Sequence, residues 1–144
     1  MLSIIIPTYK EKQNIAPLCK EISDCLVSAG IEYELLIVDD NSPDGTAEEA
    51  KKLTDQYPLR VIVRTQNRGL GAAVRRGFRE AKGEILAVMD ADLSHDPHVL
   101  PNMLQDIQLG TDIAIGTRFS EESEVEGWTA WRKFSSVFGV WMAK

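Results

Sequence analysis

The stretch Glu84-Ile85-Leu86-Ala87-Val88-Met89-Asp90-Ala91-Asp92 runs from an unbroken aliphatic segment straight into two carboxylates two positions apart. An apolar run of this length without polar alternation reads as a strand covered on both faces, so its end is where the chain emerges into solvent. Two hard oxygen donors at that point make a seat for Mg²⁺ or Mn²⁺. The chain already carries a formal net charge of −6. Concentrating further anions at a strand end is unfavourable unless a cation or a donor network meets them. A divalent ion so placed commonly serves a phosphate or diphosphate ligand.

The same aliphatic pattern recurs in Leu2 to Ile6, closed by Pro7, in Leu35-Leu36-Ile37-Val38, in Val61-Ile62-Val63 and in Ile113-Ala114-Ile115. Helix-period segments lie between these runs. Ile15, Leu18, Cys19, Ile22 and Leu26 form one stripe, stopped at Gly30; Thr46 to Tyr57 gives a second helix and Leu70 to Ala81 a third. A fourth opens with Asp96 as N-cap and Pro97 at N1, and stops at Gly110. Five alternations of strand and helix predict an α/β, Rossmann-like domain, its sheet mostly parallel with helices on both faces. Ligands of such sheets bind beyond the carboxyl ends of the strands. Those ends read Pro7-Thr8-Tyr9-Lys10-Glu11, Asp39-Asp40-Asn41-Ser42-Pro43-Asp44-Gly45, Arg64-Thr65-Gln66-Asn67-Arg68-Gly69, Asp90-Ala91-Asp92 and Gly116-Thr117-Arg118, a rim of polar and charged groups.

Composition bounds the function classes. With 144 residues, 44% hydrophobic and 26% charged, the chain is ordinary globular material for one unit. Its acidic balance, 22 Asp and Glu against 16 Lys and Arg, argues against nucleic-acid binding through a broad basic face. Cys19 and Cys25 lie six apart on a predicted helix and face different directions, so we expect two reduced, mostly buried thiols and a cytoplasmic setting. The segment Met1 to Pro7 is too short and lacks the basic flank for a signal peptide or a membrane span.

Several rim residues admit two readings. Asp39 suits a backbone cap as well as a ligand contact, and Asp40 favours the ligand. Asn41 to Gly45 reads as a turn, with Asp44 or Thr46 capping the second helix. Asn67-Arg68-Gly69-Leu70-Gly71 invites a phosphate-cradle reading, but Val74 stands where a dinucleotide fingerprint wants glycine or alanine. We expect these glycines to permit a tight turn and close helix packing, with Arg68 near phosphate. His95 and His98 do not supply a closed zinc set with Asp92 and read as surface or cap residues. Trp128, Trp131, Phe134, Phe138 and Trp141 recur at helical steps beside Arg132 and Lys133, which suits either core packing or a membrane-surface or lipid contact.

Four blocks together resemble the family-2 glycosyltransferases of GT-A fold, and within them the polyprenol-phosphate mannose synthase branch. They are Ile6-Pro7-Thr8-Tyr9-Lys10-Glu11-Lys12-Gln13-Asn14, Val38-Asp39-Asp40-Asn41-Ser42-Pro43-Asp44-Gly45-Thr46, Met89-Asp90-Ala91-Asp92-Leu93-Ser94-His95 and Asp112-Ile113-Ala114-Ile115-Gly116-Thr117-Arg118. The resemblance implies a nucleotide-sugar pocket lined by Pro7, Tyr9, Glu11, Val38 and Asp40, with Asp40 reading guanine or ribose. It implies Asp90 and Asp92 beside Mg²⁺ or Mn²⁺, Ala91 backbone near the nucleotide, and Ser94 reaching the metal only through a bridging water. Arg118 would contact the donor diphosphate or sugar, and with Asp92 it forms the implied catalytic pair. The implied reaction moves mannose from GDP-mannose to a dolichyl or polyprenyl phosphate with inversion, at the cytoplasmic face of a membrane. Another GDP- or UDP-sugar with a hydroxyl acceptor, or a nucleotide-sugar binding module without turnover, is the alternative. Residues 1–122 would be the donor core, and 123–144 the start of an acceptor-side amphipathic segment that relatives continue.

Overall fold

The computed structural model describes residues 1–116. Met1–Thr111 is one compact unit, and Asp112 opens a second. The first contains β1 (Leu2–Thr8), α1 (Lys12–Ser28), β2 (Tyr33–Asp39), α2 (Thr46–Lys51), β3 (Leu59–Val63), α3 (Leu70–Glu80), β4 (Ile85–Val88), a 3₁₀ turn (Pro97–Val99) and α4 (Leu100–Gln108). The four strands pair in parallel in the order β3-β2-β1-β4. Leu2 stands opposite both Tyr33 and Ile85, and Leu35 opposite Leu59. All four carboxyl ends therefore lie on one edge of the sheet. The strand order reverses between β1 and β4, which is where such sheets open a crevice for ligands.

Both faces of the sheet are covered, as the apolar runs require. On one face the α1 stripe of Ile15, Leu18, Cys19, Ile22 and Leu26 packs on Ile4, Ile6, Leu35 and Ile37. Each of these nine side chains is withdrawn from water, and truncating such a residue to alanine costs about 2–5 kcal/mol. On the other face α3 lies over Ile5, Leu36 and Val38 through Ala73. A Cβ built on Gly77 would fall 2.4 Å from Ile5 Cγ2, so only glycine lets this helix come so near the sheet.

Burial also settles the cysteines. Cys19 and Cys25 are free and buried; burial pushes the Cys19 thiol up to about 12, so it is a neutral core group rather than a nucleophile. The Cys25 thiol donates to the carbonyl of Pro97 (3.4 Å), tying α1 to the 3₁₀ turn. Among the described residues no helix is long and apolar enough to cross a membrane.

Three expectations are corrected. Ile113-Ala114-Ile115 is not a strand in the described residues, and Ile113 and Ile115 are 74% and 82% exposed. Three apolar residues carry the pattern of a strand, but among the described residues they form no ladder. The second helix ends at Lys51 instead of continuing to Tyr57, because Lys52, Leu53 and Thr54 donate to Glu49, Ala50 and Lys51 in tighter i→i−3 turns. Of the glycines near the third helix, Gly69 makes the turn with φ +119°, but a Cβ on Gly71 would meet open space; close packing falls to Gly77.

The opposite edge of the sheet holds a buried polar cluster. Glu34 Oε1 accepts from the Ser3 hydroxyl (2.6 Å) and the Lys82 N–H (2.6 Å), and Oε2 accepts from Arg60 Nη2 (3.0 Å). Burial raises the Glu34 pKa, but Ser3, the Lys82 N–H and Arg60 outweigh it and hold the carboxyl below its ordinary value. A folded-state pKa below the unfolded one stabilises above the unfolded value, and this contribution disappears as pH falls through the folded pKa. Glu34→Gln is expected to cost about 1–3 kcal/mol at neutral pH. The deficit should shrink on acidification below the ordinary carboxylate range, as urea midpoints across pH would report.

Candidate functional site

Backbone donors bind two loops together at the carboxyl edge. The N–H groups of Lys10, Glu11 and Lys12, after β1, donate to Ser42 Oγ (3.0 Å), Thr46 Oγ1 (3.0 Å) and Asp44 Oδ2 (3.3 Å), after β2. Asp44 Oδ1 in turn accepts from the hydroxyl (2.6 Å) and N–H (3.1 Å) of Thr46. The Thr46 hydroxyl, followed by burial working the other way and backbone N–H groups, leaves the Asp44 pKa below its ordinary value. Asp39 is fully buried and accepts from the Thr8 hydroxyl (3.1 Å), the Ser42 hydroxyl (2.5 Å) and the Ser42 N–H (2.8 Å). Its role is the turn, not a ligand.

Asp40 faces the other way, into a network built by the β3–α3 loop. Its Oδ1 accepts from Arg64 Nη1 (2.6 Å) and its Oδ2 from the Gly69 N–H (2.5 Å). Arg64 also donates to the carbonyls of Asn67 and Gly69, and both members of the Arg64–Asp40 pair are about nine-tenths buried. Beside this pair a recess of about 230 Å³ is lined by Tyr9, Asp40 and Arg68. Tyr9 is 51% exposed, so its ring is available for stacking, and Lys10 Nζ stands 5.4 Å from its centroid. An aromatic ring, a carboxylate and a guanidinium can together stack on and hydrogen-bond a planar ring.

At the end of β4 the two carboxylates are held in a short loop. Asp92 Oδ1 accepts from the Ser94 N–H (3.0 Å), and hydrogen bonding to Ser94 lowers the Asp92 pKa. The Asp90 N–H donates to His95 Nδ1 (3.2 Å), which places the ring proton on Nε2, 3.7 Å from Asp90 Oδ2. Asp90 is half exposed and Asp92 exposed, while Ala91 is buried in the core and offers the site only its backbone. His98 pairs with Asp96 (2.8 Å), the N-cap of the 3₁₀ turn. Among the described residues no three His, Cys, Asp or Glu side chains converge into a complete metal cage. A half-exposed and an exposed aspartate fit a cation whose other ligands are phosphate oxygens and water.

The residues singled out in the sequence thus distribute unevenly. Tyr9 and Asp40 meet at the recess; Glu11 lies in a second one with Lys10, Lys12, Gln13, Asn14 and Asp44. Pro7, next to last in β1, is half-buried, and the Val38 side chain is wholly covered in the cluster under α3, so Val38 presents only backbone. Arg118 and the aromatic segment 128–141 lie outside the described residues. Arg64 is assigned no role by the sequence pattern, and His95, expected as a surface or cap residue, accepts from the Asp90 N–H. The signal for Arg64 was its position: Asp39 pairs with Val63, so the next residues along, Asp40 and Arg64, stand side by side.

A parallel sheet with a polar recess and a paired-carboxylate strand end on one edge is an α/β domain of Rossmann-like type. Residues 3–140 match the family described as Glycosyl transferase family 2, and the chain belongs to that family. It is 47% identical over 143 residues to a dolichol-phosphate mannosyltransferase from Pyrococcus furiosus, covering 99% of this chain and 40% of the relative. It is 39% identical over 145 residues to a dolichol-phosphate mannosyltransferase from Saccharomyces cerevisiae, covering 99% and 54%. The chain therefore spans about half or less of the length of these curated relatives. Among solved structures it is similar to a mannosyltransferase from Pyrobaculum calidifontis in complex with GDP-Man and Mn²⁺, with TM-score 0.57, 30% identity, and coverage of 72% of this chain and 31% of that one. The likeness supports the GT-A architecture and the glycosyltransferase class.

Proposed function

We propose that this chain is the donor-binding part of a mannosyltransferase that moves mannose from GDP-mannose to a dolichyl or polyprenyl phosphate with inversion. The observation that carries it is the pairing, on one edge of the sheet, of the Tyr9–Asp40–Arg68 recess with the Asp90-Ala91-Asp92 strand end. The kinship with dolichol-phosphate mannosyltransferases supports the choice of acceptor. Tyr9 stacks on the base, Asp40 accepts from its N–H groups or from the ribose, and Pro7, Val38 and Ala91 contribute backbone walls; Glu11 faces the neighbouring recess. Asp90 and Asp92 would hold Mg²⁺ or Mn²⁺, with Ser94 contributing through a water, and the ion would supply neutralisation of the charge that develops on departing GDP. Arg118 is assigned to the diphosphate or sugar.

An acceptor phosphate is ionised at neutral pH and needs no general base, unlike a sugar hydroxyl. The aromatic and basic residues of 128–141 suit the lipid surface such an acceptor requires; the same reading assigns residues 123–144 to the start of the acceptor side and the protein to the cytoplasmic face of a membrane. The test uses the protein at its natural length with labelled GDP-mannose, polyprenyl phosphate and Mn²⁺ or Mg²⁺, with UDP-glucose in parallel. Labelled mannose should enter the lipid phase and EDTA should stop it. Transfer from UDP-glucose in preference, or to a hydroxyl acceptor alone, would overturn the substrate assignment.

A further inference from the structure

Arg64 is a nearly buried cation that does not line the recess, yet among the described residues it touches the one carboxylate that does. It follows directly on β3, and its backbone N–H extends the ladder to Asp39 O (2.7 Å), so the start of its side chain is fixed by the sheet. Its guanidinium then donates to three groups: the Asp40 carboxylate, the Asn67 carbonyl and the Gly69 carbonyl. The carbonyl contacts hold the loop that delivers the Gly69 N–H to the second Asp40 oxygen. One arginine therefore controls both bonds that fix the plane of the Asp40 carboxylate. Each carboxylate oxygen has two lone-pair sites, so one on each oxygen remains for a ligand.

We propose that Arg64 is a positioning residue for base selection: with Gly69 it fixes the Asp40 carboxylate so that the free lone pairs of both oxygens face the recess as a fork for two N–H donors. This rests on the donor reading above. Guanine presents two adjacent donors, the ring N1–H and the exocyclic amino group, and a fixed carboxylate meets both. Hypoxanthine lacks the amino group and uracil has a single ring donor, so each uses half of the fork. A carboxylate free to rotate loses this distinction, because either base then finds one good bond.

The experiment compares GDP, IDP and UDP binding in the presence of Mn²⁺ by calorimetry for the wild-type protein, Arg64→Lys and Arg64→Gln, with melting temperatures recorded alongside. Wild type should prefer GDP to IDP by about 10-fold, the scale of one hydrogen bond to a charged group. Arg64→Lys keeps the charge without the planar fork, and should bring the GDP to IDP ratio to within about twofold of unity. Equal weakening of all three nucleotides with the ratio intact would make Arg64 merely structural and overturn the proposal. Failure of both variants to fold would do the same. Wild type that binds none of the three would fail the donor reading itself, a different result from an unchanged ratio.

Discussion

Asp92→Asn is expected to abolish the metal-dependent part of nucleotide binding and to lower transfer by at least about 10²-fold, the scale of losing one preorganised electrostatic contact to a departing oxyanion. Asparagine keeps the shape and the acceptor for the Ser94 N–H but removes the charge that a hard dication needs. Hydrogen bonding to Ser94 lowers the Asp92 pKa and so favours the ionised form that a dication needs. Asp90→Asn should act in the same direction. Asp96→Asn is the control: Asp96 caps the 3₁₀ turn by accepting from the His98 N–H (2.9 Å), and an asparagine oxygen caps equally well. Calorimetry with GDP, with and without Mn²⁺, separates the cases. Mn²⁺-dependent binding that persists in Asp92→Asn would remove the aspartate pair from the metal site.

Gly77→Val is expected to destabilise this unit by about 3 kcal/mol or more. Two effects oppose each other at this position. Replacing a helical glycine ordinarily gains up to about 1 kcal/mol in propensity, while overfilling a packed contact costs about 1–3 kcal/mol and sometimes more. Here the new Cβ would lie 2.4 and 2.7 Å from the two γ carbons of Ile5, whose side chain is fully buried on the central strand and has nowhere to retreat. Packing wins, so even Gly77→Ala should destabilise. Ile5→Ala removes both γ carbons, and Gly77→Ala combined with it should be less harmful than the sum of the two. Denaturant midpoints of the two singles and the double read this directly; a Gly77→Ala protein as stable as wild type would mean α3 seats less closely on Ile5.

Much of this architecture was legible because buried parallel strands leave aliphatic runs and helices carry stripes. The runs at Leu2, Leu35, Val61 and Ile85, the α1 stripe, and the Asp96-Pro97 start are local properties, and the structure keeps them. What failed was what depends on partners. Ile113-Ala114-Ile115 has the composition of a strand, but pairing is a relation between segments. The second helix kept its stripe past Lys51, whereas its end was decided by tighter turns leading to Pro58. At the site, the strand-end positions of Tyr9, Asp40, Asp90 and Asp92 followed from element order alone. That Asp39 is consumed by Thr8 and Ser42 while Asp40 is held by Arg64 needed the register of three strands. Gly77 was invisible for the same reason, since its importance belongs to Ile5.

The seam between the β1 and β2 loops distributes freedom to vary very unequally. On one side of it the donors are main-chain N–H groups of Lys10, Glu11 and Lys12, which every residue except proline possesses. On the other side the acceptors are the particular oxygens of Ser42, Asp44 and Thr46. Substitution along the first loop can therefore retune the charge and reach of the recess that Lys10, Glu11 and Lys12 help to line without opening the seam. The second loop has no such latitude, and it acts as the fixed template against which the first can diversify.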